Sequence, residues 1–276
     1  MTINCLGNLI ALDTPRVMGI LNLTPDSFFD GGQYREEDAI LEQVGKMIGE
    51  GATFIDVGAY SSRPNAEDIS EAEELARLLP VVELLLGHFP DILLSIDTFR
   101  SEVASRCLDM GAAMINDISA SGLDPGMMAT VASYRVPYVI MHMKGNPRDM
   151  TSHAEYKDLM GEILFYFSEK IAQGRALGVS DILVDPGFGF AKTIEQNYEL
   201  LQQLEQFQLF GLPLLVGLSR KSMIYKLLET KAGNALNGST ALHMVALAKG
   251  ARILRVHDVR EAMECIKLQA ALEKKY

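Results

Sequence analysis

Cysteine is scarce in this sequence. Cys5, Cys107 and Cys265 are the only three in 276 residues, they lie far apart, and no two of them form a CxxC pair. This spacing argues against a disulfide framework and against a zinc site. It predicts reduced, ordinarily packed thiols in a cytoplasmic protein.

Clustered positive charge is missing as well. The formal net charge is −11, and no block of lysine and arginine residues occurs. We therefore expect neither nucleic acid nor an anionic membrane surface as a partner. An anionic small molecule remains a possible partner if basic side chains meet at one site.

Long hydrophobic runs are also absent, since no stretch reaches transmembrane length. Asn8 and Asp13 interrupt the apolar run near the N-terminus, which has no basic segment, so we expect no signal peptide. What the chain does contain is 48% hydrophobic and 22% charged residues. This composition predicts one α/β domain over residues 1–276, with a core over about 15–270. Two domains are possible but not required.

Eight short β-rich runs alternate with longer amphipathic stretches. They are residues 17–21, 54–57, 92–96, 113–115, 138–141, 182–184, 214–216 and 253–256. Apolar strands separated by helices are typical of a parallel sheet that is covered on its outer face. Eight such units at this chain length predict a closed (β/α)8 TIM barrel. A doubly wound open sheet is the alternative.

Three features support the helical stretches between these strands. Ser70 and Glu73 have the spacing of a capping box. Residues 155–177 carry a helical apolar stripe, and Gly178 follows as a plausible C-cap. His243 lies in a predicted helix over 239–249, where a packed histidine is a better interpretation than a metal ligand.

Hydrogen-bonding or ionisable residues follow most of the predicted strands. Asp97, Asn116 and Asp185 each end an apolar strand or nearly so. In a barrel they would converge on the C-terminal face, where barrel active sites lie. Two carboxylates and an amide there would suit a flat heterocycle with both donors and acceptors.

The segment around Asp185 predicts a pocket turn. Pro186, Gly187 and Gly189 force a tight turn after the strand, and Phe188 and Phe190 are placed to stack on a flat ligand. The alternative is an ordinary strand-to-helix turn in which the aspartate caps the next helix.

Basic side chains cluster in the loops that follow the second, seventh and eighth strands. They are Arg63, Arg220, Lys221, Arg255 and His257. A barrel commonly binds phosphate with its last two loops, and arginine matches phosphate oxygens. Each residue alone could be a solvated charge, but the set predicts an anion site.

Two long loops, 22–32 and 59–66, combine turn residues and hydroxyls with aromatic side chains and are interpreted as mobile lids. Asn22 and Asp26 carry oxygen donors suited to Mg²⁺, which usually takes only one or two ligands from protein. These donors alone do not demonstrate a metal site.

Six motifs in order resemble dihydropteroate synthase over nearly the whole chain. They are residues 19–28 (GILNLTPDSF) with 30–32 (DGG), 95–98 (SIDT), 115–117 (IND), 185–190 (DPGFGF), 217–222 (GLSRKS) and 255–258 (RVHD). The resemblance implies a (β/α)8 barrel. It also implies that 6-hydroxymethyl-7,8-dihydropterin diphosphate is joined to p-aminobenzoate, with release of diphosphate, in folate synthesis.

The resemblance also implies roles for single residues. Asn22 would hold Mg²⁺ on the diphosphate, and Asn22, Asp97 and Lys221 would be catalytic. Four residues would hold the pterin: Asp97, Asn116, Asp185 and Lys221. Four would bind the diphosphate: Ser62, Arg63, Arg255 and His257. Phe190, Pro64 and Ser222 would place p-aminobenzoate. The sequence departs from the usual family pattern at residues 60–62 (YSS) and at Phe29.

Two other functions stay open at this point. A pterin-dependent methyltransferase would share the barrel but needs no diphosphate site, so Lys221, Arg255 and His257 argue against it. A non-catalytic pterin-binding paralogue is the other alternative. A homodimer is also possible through apolar residues of the C-terminal helix, although barrel packing explains them equally well. These residues are Met263, Ile266, Leu268 and Leu272.

Overall fold

The computed structural model describes residues 1–23, 33–61 and 68–273. The strands in these residues are β1 (Thr2–Cys5), β2 (Asn8–Ala11), β3 (Arg16–Asn22), β4 (Phe54–Gly58), β5 (Leu94–Asp97), β6 (Met114–Asp117), β7 (Tyr138–Met141), β8 (Ile182–Asp185), β9 (Leu214–Val216) and β10 (Ala251–Val256). The α-helices are α1 (Gln33–Gly49), α2 (Glu71–His88), α3 (Ser101–Met110), α4 (Met127–Tyr134), α5 (Leu159–Ala176), α6 (Ile194–Gln202), α7 (Ser222–Tyr225), α8 (Leu236–Ala248) and α9 (Val259–Glu273). Short 3₁₀ helices cover Met150–His153, Leu204–Phe210 and Ala232–Asn234.

Strands β3 to β10 form a closed barrel. Neighbours pair in parallel in chain order, and β10 closes the ring against β3. This confirms the predicted (β/α)8 barrel and excludes the open-sheet alternative. All eight predicted strands are present, with small differences at their ends.

The barrel interior has an apolar lower layer and a polar upper layer. Alternate residues of a strand point to opposite faces, so residues two apart share the interior. On β4 the interior pair is Phe54 and Asp56, and on β8 it is Leu183 and Asp185. The strands thus bring polar side chains together at their C-terminal ends, above a packed floor.

An antiparallel hairpin of β1 and β2 precedes the barrel, and the sequence patterns did not predict it. Ile3, Cys5 and Leu12 are buried against the lower apolar layer. The hairpin therefore closes the N-terminal end of the barrel. It leaves the opposite, C-terminal end as the place for a cleft.

Most of the helix features predicted from the sequence are present in the structure. The Ser70 hydroxyl caps α2 by accepting from the Glu73 backbone N–H at 3.2 Å. Helix α5 begins at Leu159, not at residue 155 as the stripe predicted, and Gly178 follows its C-cap with φ +90°. His243 is buried in α8 as a packed residue, which confirms that prediction.

The three cysteines are free and buried. Burial, with a smaller contribution from nearby carboxylates, raises the thiol pKa of Cys5 and Cys107 to about 12. Within residues 1–23, 33–61 and 68–273, no helix is both long enough and apolar enough to cross a bilayer.

Candidate active site

A cleft opens among the C-terminal ends of the barrel strands. Its volume is about 300 Å³ with the open mouth included. The residues that line it come from six strands or the turns that follow them: Asp97, Asn116, Ile118, Met141, Asp185, Phe190, Gly217, Lys221 and Arg255. Six predicted site residues are in this set, so the structure brings them together.

Asp97 and Asn116 lie side by side at the cleft floor. They are register partners at the ends of β5 and β6. The Asn116 amide donates to Asp56 Oδ2 at 3.0 Å, which fixes the orientation of the amide. Its carbonyl oxygen is thereby left to face other groups.

Arg255 joins two carboxylates, one of which, Asp97, lines the cleft with it. It belongs to β10 itself and not to the loop predicted from the sequence. Its Nε donates to Asp56 Oδ2 at 2.6 Å and its Nη2 donates to Asp97 Oδ2 at 2.7 Å. The guanidinium therefore bridges Asp56 and Asp97.

Asp56 is a residue of this site that the sequence patterns did not predict. This carboxylate is fully buried, and its Oδ1 has no hydrogen-bond partner among the described residues. The signal for it was a charged residue in the middle of a buried apolar strand, because such a charge requires a partner. That partner is the Arg255 guanidinium.

Burial shifts the ionisation of the cleft residues. It raises the pKa of Asp97 to about 7, opposed by Arg255 and reinforced by Asp56. It lowers the pKa of Lys221 to about 8, although Asp185 opposes this change. Burial also works against the charged Arg255, but Asp56 and Asp97 raise its pKa overall. Arg255 stays cationic, while Asp97 and Lys221 can change charge near neutral pH.

The turn after β8 does not serve as a helix cap. Asp185 Oδ1 accepts from the Gly187 N–H at 2.8 Å, inside the turn. Helix α6 is capped instead by Thr193, which forms a reciprocal capping box with Gln196. The helix-capping alternative for Asp185 is therefore excluded.

The two phenylalanines of this turn have different environments. Phe188 is fully buried in the main core cluster, so the prediction that it stacks on a ligand is wrong. Phe190 lines the cleft, and the Lys221 ammonium lies 4.9 Å from the centre of its ring. Lys221 Nζ also donates to the Phe188 carbonyl oxygen.

Replacing Gly187 by alanine is expected to disrupt this turn. Its φ is +72°, and a Cβ would come within 2.1 Å of the His142 carbonyl oxygen. Gly178 is a matched control, since its φ is +90° but a Cβ there would meet nothing within 4 Å. Gly178→Ala should lower the free energy of unfolding by about 1 kcal/mol from backbone strain, and Gly187→Ala by at least about 2 kcal/mol more. Denaturant unfolding measures both, and equal losses would contradict the contact.

Three predicted site residues lie outside the cleft lining. Asn22 ends β3 beside Gly58, and Ser222 opens α7. His257 follows β10, where its Nδ1 lies 3.2 Å from Ser219 Oγ. All three come from the C-terminal ends of barrel strands, as does the cleft.

Some predictions fall outside the described residues. These are Ser62, Arg63 and Pro64, together with Phe29, Asp26 and most of the two long loops. Of the predicted lids, only Asn22, Leu23 and residues 59–61 are described.

Arg220, one of the predicted anion-binding residues, is occupied elsewhere. Its guanidinium forms a two-pronged pair with Asp258, with Nε–Oδ2 at 2.7 Å and Nη2–Oδ1 at 2.6 Å. This pair ties the loop after β9 to the start of α9. Arg220 is therefore better interpreted as a structural support for its neighbour Lys221.

Few of the described side chains could bind a magnesium ion at this site. Among the described residues, no three histidine, cysteine, aspartate or glutamate side chains lie close enough to hold a metal. The Asn22 amide oxygen at the tip of β3 is a hard donor of the kind that Mg²⁺ accepts. One such ligand fits an ion that is held mainly by substrate phosphate and water.

The comparisons with known sequences and known structures agree on one family. Residues 18–257 match the family model described as pterin binding enzyme. Dihydropteroate synthase of Escherichia coli strain K12 is 43% identical, over 96% of this chain and 94% of that protein. The Yersinia pestis enzyme, solved with a sulfonamide drug, superposes with a TM-score of 0.91 at 42% identity, covering 99% of each chain. The Thermus thermophilus enzyme, solved with 4-aminobenzoate, gives 0.89 at 38% identity and covers 99% of this chain and 100% of its own.

Proposed function

The chain belongs to the dihydropteroate synthase family and is a transferase of folate synthesis, and we propose the reaction that it performs. It condenses 6-hydroxymethyl-7,8-dihydropterin diphosphate with p-aminobenzoate to give 7,8-dihydropteroate and diphosphate. The observation that carries this proposal is the cleft in which Asp97, Asn116 and Asp185 meet Lys221 and Arg255.

The pterin ring fits the polar end of this cleft. Carboxylates of Asp97 and Asp185 accept from ring N–H and amino groups, while the Asn116 carbonyl can accept and Lys221 can donate. Phe190 supplies a flat apolar surface on the same side as the ammonium. Each edge of the heterocycle thus meets a group of matching polarity.

The diphosphate would leave toward the positive side of the barrel mouth. Lys221, Arg255 and His257 come from the ends of β9 and β10, where barrels commonly bind phosphate. Ser62 and Arg63 are proposed to complete this site. Asn22 would hold magnesium on the diphosphate, and the ion would then neutralise charge on the leaving group.

We propose that the C–O bond to diphosphate breaks before the amine attacks. The pterin methylene carbon then carries positive charge, and the Asp97 carboxylate stabilises that charge from the cleft floor. The p-aminobenzoate nitrogen, placed by Phe190, Pro64 and Ser222, forms the new C–N bond and gives its proton to the departed diphosphate. No covalent enzyme intermediate is required.

The pH dependence of turnover should follow two groups of the cleft. Asp97 must be ionised to stabilise a cation, so kcat/KM should rise with pH through about 7. Lys221 must keep its proton to donate, so kcat/KM should fall through about 8. The pH profile of kcat/KM should therefore be a narrow bell, with Asp97 on its acid limb and Lys221 on its alkaline limb. Initial rates at fixed ionic strength measure it, and Lys221→Met should lose the alkaline limb.

The direct test is a turnover assay with purified protein. Diphosphate and dihydropteroate are measured together, with the pterin diphosphate and Mg²⁺ present, and with and without p-aminobenzoate. Diphosphate release matched by dihydropteroate supports the proposal. Tight pterin binding without turnover would favour the non-catalytic paralogue, and no binding would contradict the proposed cleft.

We further propose a homodimer through α9. Of the four residues named for this face, Ile266 is buried against the barrel and Met263 is half-buried, whereas Leu268 and Leu272 are 60% and 75% exposed. The exposed pair is the part available to a second copy. A cytoplasmic location and a single domain remain predictions.

A further inference from the structure

Lys192 is a buried lysine that the proposed reaction does not use, and burial lowers its pKa to about 7, although Asp185 opposes this change. It follows the turn after β8, and only 9% of its surface is exposed. Its Nζ lies 3.0 Å from the Gly187 carbonyl oxygen, 3.0 Å from the Phe190 carbonyl oxygen and 3.1 Å from His142 Nδ1. No carboxylate among the described residues forms an ion pair with it.

Three acceptors match the three hydrogens of an ammonium group. Burial lowers the pKa of His142 well below its ordinary value, so the imidazole is neutral and Nδ1 can accept a hydrogen bond. Burying a cation is costly unless its hydrogen bonds are all made. The two carbonyl oxygens of the turn and His142 Nδ1 accept these hydrogen bonds, and this offsets the cost of burying Lys192.

The turn that Lys192 holds is conformationally demanding. Gly187, Gly189 and Ala191 all have left-handed backbone angles, with φ of +72°, +83° and +48°. A non-glycine residue in this region costs free energy and persists only where its surroundings fix it. Lys192 ties Gly187 to Phe190 and so closes the segment between them.

That segment carries two contacts of the cleft. The Phe188 carbonyl oxygen accepts from Lys221 Nζ, and the Phe190 ring lies beside the same ammonium. Lys221 thus meets the turn from the cleft side, while Lys192 holds it from the interior. A shift of the turn would move both groups that orient Lys221.

We propose that Lys192 is a positioning residue for pterin recognition, acting through the turn to set the orientation of Lys221. This inference rests on the proposed function, because it assigns Lys221 to the pterin. Lys192 itself would contact neither substrate and would act only through the turn.

The test is a double-mutant cycle in kcat/KM for the pterin diphosphate. Lys192→Met keeps the length of the side chain but loses all three donors, and it should lower kcat/KM at least about tenfold. In a Lys221→Met background the same change should alter kcat/KM by less than about twofold, because the lysine that Lys192 orients is no longer there. Equal effects in both backgrounds, or an unchanged kcat/KM in the single variant, would overturn the proposal.

Lys249→Met is the matched control. Lys249 also donates to a backbone carbonyl, that of Gln202, at 2.7 Å, but it follows α8 at the N-terminal end of the barrel. Its replacement should leave kcat/KM unchanged. If Lys192→Met does not fold, Lys192→Gln retains part of the donor set and is measured in its place.

Amide hydrogen exchange provides a readout that needs no substrate. The N–H groups of Gly189 and Phe190 are bonded to Asn197 Oδ1 at 2.7 Å and to the Gly187 carbonyl at 3.1 Å. They should exchange at least about tenfold faster in Lys192→Met and at the native rate in Lys249→Met. Unchanged exchange would overturn the inference even if the proposed reaction is correct. Absence of turnover in the native protein would count against the proposed function alone.

Discussion

Arg255→Met is expected to abolish measurable turnover and to lower the free energy of unfolding by about 3–5 kcal/mol. The guanidinium is the partner of Asp56, which is fully buried, and of Asp97 at the cleft floor. Methionine fills similar space but leaves both carboxylates without a cation. They would either repel each other or take up a proton, and a protonated Asp97 cannot stabilise a cation.

Arg252→Met on the same strand is the control. Arg252 donates to the Asp13 carbonyl oxygen at 2.9 Å, away from the cleft. It should leave turnover unchanged and alter stability by less than about 1 kcal/mol. Denaturant unfolding and initial rates measure both variants.

A second variant separates the charge effect from lost packing. Adding Asp56→Asn to Arg255→Met removes one unpaired charge, so part of the lost stability should return while turnover stays absent. If the single variant were as stable as the native protein, the buried ion pair would not have the assigned role.

Asp97→Asn is expected to lower kcat about 10²- to 10³-fold, which is about 3–4 kcal/mol of transition-state stabilisation. Asparagine has nearly the same shape, and its carbonyl can still accept from Arg255, so the fold should remain intact. Only the negative charge is lost. Because the cationic methylene exists only near the transition state, kcat should fall more than the affinity for the pterin.

The control for this variant is Asp91→Asn. Asp91 precedes β5 at the other end of the barrel and is exposed, so its amide variant should be indistinguishable from the native protein. Circular dichroism verifies the fold, and steady-state kinetics separate kcat from KM. An Asp97→Ala variant that remained fully active would remove the proposed role in stabilising the cation.

Much of the architecture could be predicted from the sequence because its signals are local. Most barrel strands are largely apolar runs that end at or just before a polar or turn-forming residue, and this pattern can be recognised without knowing what lies beside it. Asp97, Asn116 and Asp185 were placed correctly at one cleft for that reason. The order of motifs also identified the family that the comparisons show.

The partners of these side chains could not be predicted in the same way. Arg255 reaches Asp56 across 199 residues of sequence and Asp97 across 158. No local pattern encodes such a pair, since it exists only once the ring of strands has closed. For the same reason Asp56 was counted as part of a strand and its role in the cleft was not recognised.

The turn after β8 also has one property that follows from local sequence and another that depends on the folded structure. The sequence determined that Pro186 and the glycines would make a tight turn there, because their backbone preferences are intrinsic. Which phenylalanine faces the cleft was decided by the tertiary structure, in which three residues of the turn have left-handed backbone angles, Phe188 lies in the core and Phe190 lines the cleft. Backbone preferences are carried by each residue, whereas the direction of a side chain depends on every contact that surrounds it.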